Sequence, residues 1–441
     1  MAPTTPDRDR IARLLAALET AWGPAADAAP VEIVRAPGRV NLIGDHTEHN
    51  EGFVLPVAIE LDTWIAVRPR QDGLVRIVSR HSSEVGSFRI EALELAPGRG
   101  GPGGTAAAGA AAAGPGNGAA AAAGAAAAGP GNGAAAAPGG PSGGWSDYVA
   151  GTAWSLREAA LPVRGFVGVV DTTIPIGAGL ASSAALEVAS ALALLGGGSE
   201  LAAPSLAALA QRGERDYVGV DCGFMDQFAS AAGRADRALL LDCRSLDTRY
   251  VSLPHGLRVV VCDTGSRREG GAASYLTRRA ECARALALLA ERMPGLCSIR
   301  DLNAATLRRH RGLLPENVAR RAEHVVSENA RVLATVTALE AGDLDQLARL
   351  FAESHASLRD LYEVGSPALD TMVEVAREIP GVVAARMTGA GFGGCTVNLV
   401  LADAVPALQA AVGREYDSRT GLKGRAYPVT IVDGAGPVQT T

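Results

Sequence analysis

The 441 residues predict an α+β protein of two domains. Three observations lead there. Strand-like and helix-like runs are interspersed without the regular βαβ rhythm of a doubly wound parallel sheet. A chain of this length can bury two separate cores. A strand-rich half gives way to a helix-dominated half near residues 245–255, which sets the domains at about 1–250 and 251–441.

The elements follow in order. Residues 8–22 carry Ile11, Leu14, Leu15 and Leu18 at helical spacing. A β-branched run at 31–34 turns at Pro37-Gly38, and strand patterns recur at 63–68 and 75–78. Residues 97–144 differ in kind. One alanine string broken by Gly-Pro-Gly-Asn occurs twice, around Pro115 and Pro130, and no large apolar side chain lies between Gly98 and Gly144. Such a segment has nothing to offset its ordering entropy and predicts a flexible insertion. A helix is expected at 145–156, a strand at 165–170 and a small-residue helix after Leu180. Strand patterns at 238–242 and 251–261 precede helical spacing at 275–293, 317–339 and 344–358, and strands at 395–401 and 427–432 close the chain.

Composition excludes several classes. The net charge of -6 is wrong for a nucleic-acid partner. Of 41 basic residues Lys423 is the only lysine, so there is neither a Gly-Lys-Ser/Thr phosphate loop nor the early-strand lysine of a protein kinase. Phosphoryl chemistry here must rest on arginine, metal, hydroxyls and backbone amides. Six scattered cysteines with no C-x-x-C pair read as thiols in a reducing compartment. No stretch reads as a signal peptide or a membrane span, so a soluble cytoplasmic protein is expected.

Three stretches carry chemistry. In residues 35–50, Arg39, Asp45, His46 and Glu48 crowd one turn between the apolar runs 40–43 and 53–55. Polar groups held rigid by buried flanks suit recognition of a polyhydroxylated small molecule. Residues 175–185 hold Gly177 and Gly179, then Ser182 and Ser183 at the start of a helix. Glycines allow close backbone approach and a helix start offers free amides, which together make an anion site. An ordinary serine-capped turn would look the same. Residues 214–228 hold Glu214 in a charged turn and Asp226 before a short helix, where solvation and N-capping are the bland roles.

Residues 35–50 resemble the sugar-binding signature of galactokinases, members of the GHMP small-molecule kinase superfamily. Residues 175–185 resemble the GHMP nucleotide loop, with Ala181 where many members carry serine. The string from Cys222 to Gln227 is similar to the family's catalytic segment. Residues 274–282, 353–364 and 386–395 resemble further family segments, the last leading from a helix to a strand. In the family the longer acid comes first and tyrosine follows the shorter one; here Asp45 and Glu48 invert that order and His49 replaces the tyrosine.

The resemblance implies a GHMP fold, with an N-terminal domain like the second domain of ribosomal protein S5 and a ferredoxin-like C-terminal domain. It implies ATP-dependent phosphorylation of the anomeric hydroxyl of galactose by a monomer that binds neither nucleic acid nor membrane. Asp226 would accept or orient the hydroxyl proton, and Arg39 would hold charge on the transferred group. Asp45, His46, Thr47, Glu48, Gly223 and Tyr275 would line the sugar site. Gly177, Ala178, Gly179, Leu180, Ala181, Ser182 and Ser183 would meet the nucleotide, and Ser183 and Glu214 would hold Mg²⁺; Ser79 is a further nucleotide candidate only by its position after a strand. A sibling 1-kinase for N-acetylgalactosamine, galacturonate or arabinose shares these catalytic groups, and a galactose-sensing regulator without turnover is the other alternative.

Overall fold

The computed structural model describes residues 5–24, 30–95, 140–197, 200–220, 222–267 and 271–439. Most of the Ala/Gly-rich insertion, residues 96–139, lies outside the described residues. Its far end is tied down: the backbone amides of Ser142 and Gly143 donate to the Asp147 carboxylate at 2.9 and 2.6 Å.

Thirteen strands occur among the described residues: β1 (Glu32–Asn41), β2 (Phe53–Val54), β3 (Pro56–Arg70), β4 (Leu74–Ser79), β5 (Val85–Arg89), β6 (Gly165–Thr172), β7 (Arg237–Asp242), β8 (Thr248–Ser252), β9 (Leu257–Asp263), β10 (Val382–Met387), β11 (Cys395–Leu401), β12 (Arg425–Val429) and β13 (Gly436–Pro437). The helices include α1 (Thr5–Trp22), α2 (Asp147–Glu158), α3 (Ser182–Leu195), α4 (Ala203–Arg212), α5 (Met225–Ala232), α6 (Gly271–Ala290), α7 (Ala304–His310), α8 (Glu316–Ala341), α9 (Leu344–Ala356) and α10 (Pro367–Arg377).

The first sheet has the order β13-β1-β3-β6-β4-β5, antiparallel except where β4 runs parallel to β6. Contrary to the expected turn at Pro37-Gly38, β1 continues through it to Asn41, with a register shift at that point against β3. Proline lacks the amide a regular ladder needs, and a bulge accommodates it. Helix α3 is apolar on nearly all sides and is correspondingly buried between this sheet and its neighbouring helices. Helix α1 packs Ile11, Leu14 and Leu18 with Ile33, Trp64 and Val169 in a separate cluster.

The strand pattern expected at 251–261 splits in two. Pro254 and Gly256, the latter at φ +82°, turn the chain between β8, which joins the small sheet β2-β7-β8, and β9, which joins the second large sheet. That sheet has the order β10-β11-β9-β12; counted along its own stretch of chain it runs 4-1-3-2 from the β12 edge, a ferredoxin-like arrangement. Alternation along β9 explains its two faces: Val259 and Val261 join the large central core, whereas Val260 and Cys262 pack with Met372 and Val373 of α10. The final residues return to the first half, where Ile431 bridges Ile59 and β13 pairs with β1.

Strands β2, β5, β10 and β13 carry no pattern strong enough to have been expected. Strand β10 changes one reading. Residues 386–395 join strand to strand, not helix to strand, so Arg386 sits in the sheet. The helical spacing expected through 358 passes at 357–362 into a π-helical turn that buries Tyr362 and Leu358 and leaves Leu361 only partly covered.

Candidate active site

The loop after β1 takes its shape from glycine. Gly44 has φ +100°, and a Cβ there would meet the Phe53 carbonyl at 2.5 Å and Val332 at 2.9 Å. The Thr47 hydroxyl bonds the carbonyls of Gly44 and Phe53 at 2.8 and 2.7 Å, closing the loop on β2. Thr47 therefore supports the loop and is absent from the cleft lining. The Asp45 carboxylate is buried and takes Arg386 Nη2 at 2.5 Å and the Gly389 amide at 2.9 Å. Burial raises its pKa above the ordinary carboxylate value, with the Arg386 charge opposing.

Glu48 is held differently. Its Oε1 accepts from the Tyr275 hydroxyl at 3.4 Å and lies 3.6 Å from His49 Nδ1, while Oε2 is buried with no hydrogen-bond partner. Burial pushes this carboxyl up, but the neighbouring His49, with the charge of His46, outweighs it and holds it at about 2. A buried acceptor without a partner is costly, so it suits a ligand hydroxyl. Gly223 makes the room: a Cβ there would lie 2.6 Å from Glu48 Cγ.

The second loop is fastened to β1. Gly177 (φ +75°), Gly179 (φ +81°) and Ala181 (φ +62°) alternate in the left-handed region, so Ala181, not serine, occupies a position an L-residue rarely takes. The Leu180 carbonyl accepts from the Arg39 amide at 3.2 Å, and a Cβ on Gly38 would meet that carbonyl at 2.7 Å. Ala178 is buried, its carbonyl accepting from Cys395 Sγ. No side chain caps α3, so its first-turn amides, those of Ser182 and Ser183 among them, are open to an anion.

Between the loops stands an ion pair. Arg39 Nε donates to Asp226 Oδ1 at 2.8 Å and Nη2 to Oδ2 at 2.7 Å, while Nη1 donates to the Gly179 carbonyl at 2.7 Å. Asp226 is not the N-cap of α5. The helix begins at Met225 after Phe224, and Asp226 lies in its first turn with no capping bond. Glu214 is not in a solvated turn either; it sits on a π-helical turn (Gly213–Val218) and is 3% exposed. Gln227 Nε2 bridges Glu214 Oε2 at 2.7 Å and Glu187 Oε2 at 2.9 Å. Burial, with the nearby Asp226 charge, pushes Glu214 up to about 7, and burial with the neighbouring Glu214 charge pushes Glu187 well above the ordinary range.

One cleft gathers these groups. Arg39, Asp226, Asp45, His46, Glu48, Gly223 and Tyr275 line it, with Gly177, Gly179, Leu180, Ala181, Ser182, Ser183 and Glu214. Ser79, at the end of β4, and Ala178 are not on its wall. The sequence reading missed Cys222, Met225, Gly389 and Ala390 on the wall and Glu187 behind it. Glu187 did leave a signal, as the single acid in an otherwise apolar helix.

Comparison with known proteins agrees with this arrangement. Residues 25–69 match the galactokinase galactose-binding signature, 147–234 the GHMP kinases N terminal domain and 335–418 the GHMP kinases C terminal domain. The chain is 40% identical to a galactokinase of Roseiflexus sp. (strain RS-1) over 417 residues, 93% of each protein. It is also 40% identical to a galactokinase of Chloroflexus aurantiacus over 408 residues, 92% of this chain and 93% of that protein. The structure of Lactococcus lactis galactokinase complexed with galactose superposes with a TM-score of 0.82 at 31% identity, covering 97% of this chain and all of that one. Methanococcus jannaschii mevalonate kinase shares the fold alone, at 16% identity and a TM-score of 0.59 over 92% of this chain. With its two-domain GHMP fold and its sugar signature in place, the chain belongs to the galactokinase family.

Proposed function

We propose that the chain transfers the γ-phosphoryl group of ATP to the anomeric hydroxyl of D-galactose, giving galactose 1-phosphate and ADP. The observation that carries this reading is the Arg39–Asp226 pair, set between an anion-binding loop and the galactokinase sugar loop in one cleft. The hydroxyl oxygen bonds to γ-phosphorus as the bond from that phosphorus to the β-phosphate oxygen breaks. The hydroxyl proton passes to Asp226. Phosphoryl transfer is largely dissociative, so orientation and charge stabilisation outweigh the base role. Arg39 serves both, since one guanidinium face aligns the carboxylate and another nitrogen reaches the Gly179 carbonyl. The α3 amides and the Ser182 and Ser183 hydroxyls receive phosphate oxygens. A sensor without turnover would not need this catalytic pair.

The residues present fit a magnesium ion. Glu214 is buried beside other carboxyl groups and hydrogen-bonded by Ser183; burial first and the Asp226 charge second raise its pKa, and a cation there would favour the carboxylate. Among the described residues no three acidic, histidine or cysteine side chains form a cage, which suits an ion held by one or two protein ligands plus phosphates. Ser183 and Glu214 would hold it, and it would neutralise charge developing on the phosphates.

We divide the chain at about residue 250. The half before it supplies both loops, and the half after it backs the sugar loop through Arg386 and Tyr275. Among the described residues no helix is long and apolar enough to cross a membrane. All six cysteines are free and the Cys297 thiol is exposed, which suits the reducing, cytoplasmic setting we propose for a monomer.

The test is ADP release with Mg-ATP over galactose, 2-deoxygalactose, N-acetylgalactosamine, galacturonate and arabinose, with the product identified by phosphorus NMR. Galactose should give the highest kcat/KM and a phosphate on C1. A tenfold preference for another sugar would overturn the substrate and leave the kinase standing; no ADP release with any of them would overturn both.

A further inference from the structure

Helix α8 places two fully buried polar residues, His324 and Glu328, behind the sugar loop, and neither lines the cleft. The Glu328 carboxylate accepts from the Gly44 amide at 3.1 Å, the Ser354 hydroxyl at 2.7 Å and Arg331 Nε at 2.7 Å. His324 Nε2 lies 3.1 Å from the Asp45 carbonyl oxygen, and Nδ1 lies 2.8 Å from Ser357 Oγ. A carbonyl can only accept, so Nε2 carries the proton and Nδ1 accepts from Ser357. The same ring stands 4.6 Å from the Tyr362 ring, which in turn stands 4.5 Å from that of His46.

The loop needs such support. Asp45 is bracketed by Gly44 at φ +100° and His46 at φ +65°. Glycine tolerates that region, whereas a histidine holds it only where its surroundings impose it. The Asp45 carbonyl belongs to the peptide that leads into His46, so its direction is coupled to that unusual turn.

We propose that His324 is a positioning residue for the sugar site, donating from Nε2 to the Asp45 carbonyl and so holding the main chain that presents Asp45 and His46 to the sugar. The inference rests on the galactose reading above. It assigns part of the sugar affinity to the C-terminal half, remote from the signature loop. A histidine that merely filled the core would affect stability without favouring one ligand over the other.

The experiment measures galactose affinity by calorimetry without nucleotide, ATP affinity separately, and kcat and KM for both, on the full chain. The variants are His324→Asn, whose amide reaches the position of Nδ1; His324→Gln, whose amide reaches that of Nε2; and Ser357→Ala. Leaving the buried carbonyl without its donor should weaken galactose binding about tenfold or more in His324→Asn, with kcat and ATP affinity little changed. His324→Gln should stay within about threefold of wild type, since it keeps the donor. Ser357→Ala, which frees the ring but keeps its nitrogen, should fall between them. Unchanged galactose affinity in His324→Asn, equal losses in the Asn and Gln variants, or parallel losses of galactose and ATP affinity would each overturn the proposal. Should His324→Asn fail to fold, Ser357→Ala decides: a loss confined to galactose supports the role and wild-type affinity overturns it. Wild-type galactose binding reads on the substrate assignment alone, so the two failures are told apart.

Discussion

The guanidinium of Arg39 lies side-on against the carboxylate of Asp226, with two parallel bonds of 2.8 and 2.7 Å, and its remaining nitrogen spans to the nucleotide loop at Gly179. That geometry is bidentate, which a lysine cannot reproduce. Asp226→Asn should keep the fold, because the residue caps nothing, yet lower kcat by about two to four orders of magnitude. Arg39→Lys should also lose kcat severely. Steady-state kinetics beside circular dichroism check both; a folded Asp226→Asn enzyme with wild-type kcat would remove Asp226 from the chemistry.

Gly223 and Glu48 are in contact, and the glycine exists for the carboxylate. Gly223→Ala puts a Cβ 2.6 Å from Glu48 Cγ, too close for two carbons, so the carboxylate must move by about 1 Å, a shift that can cost about a hundredfold in rate. The loss should fall on kcat/KM for galactose while KM for ATP stays near wild type. Equal loss for both substrates would show that the loop as a whole, not Glu48, is disturbed.

The Ala/Gly insertion should be dispensable only as far as residue 139. Replacing 98–139 by a short Gly/Ser linker changes loop entropy only logarithmically and should leave activity and Tm unchanged. Extending the replacement through Gly144 removes the Ser142 and Gly143 bonds to Asp147 at the start of α2 and should cost about 1 kcal/mol. Two thermal melts compare the replacements, and identical Tm values would dismiss the anchoring role of Ser142 and Gly143.

Acid should weaken the fold through α8. Burial holds His324 at about 4, with the nearby Arg331 and Arg386 charges also opposing protonation and Glu328 favouring it. The unfolded chain binds that proton from about pH 6.5 downward, so the contribution is complete above that pH and lost as pH falls toward 4. Burial pushes Glu328 up, but Arg331, His324 and Arg386 outweigh it and hold it at about 2, which adds a loss below about pH 4.5. The Tm advantage of wild type over His324→Gln should therefore shrink between pH 7 and pH 5. Parallel Tm profiles would show that the imidazole is not held neutral.

Much of the site was legible because its residues are contiguous. The turn 39–48, the loop 177–183 and the segment 222–227 each declare their chemistry within a dozen positions, and all three reach the cleft. Burial was not legible. Glu214 looks solvated by its charged neighbours, yet the π-helical turn carries it inward against Gln227. Thr47 reads like a sugar contact, yet its hydroxyl is spent on Gly44 and Phe53. Arg386, expected at the end of a helix, sits in β10 bonded to Asp45, 341 positions away.

The sequence by itself determined the α+β class, the two-domain fold, the sugar and nucleotide motifs and the exclusion of lysine-based phosphate chemistry, because these depend on local periodicity, residue type and short spacing. The tertiary structure alone decided how far each polar group on the cleft wall is already hydrogen-bonded within the fold. Asp45 and Glu48 show the difference. Three positions apart, one carboxylate is taken by Arg386 and Gly389, while the other keeps a buried oxygen without a partner. Those partners come from distant parts of the chain, and only the packed core brings them within hydrogen-bond reach.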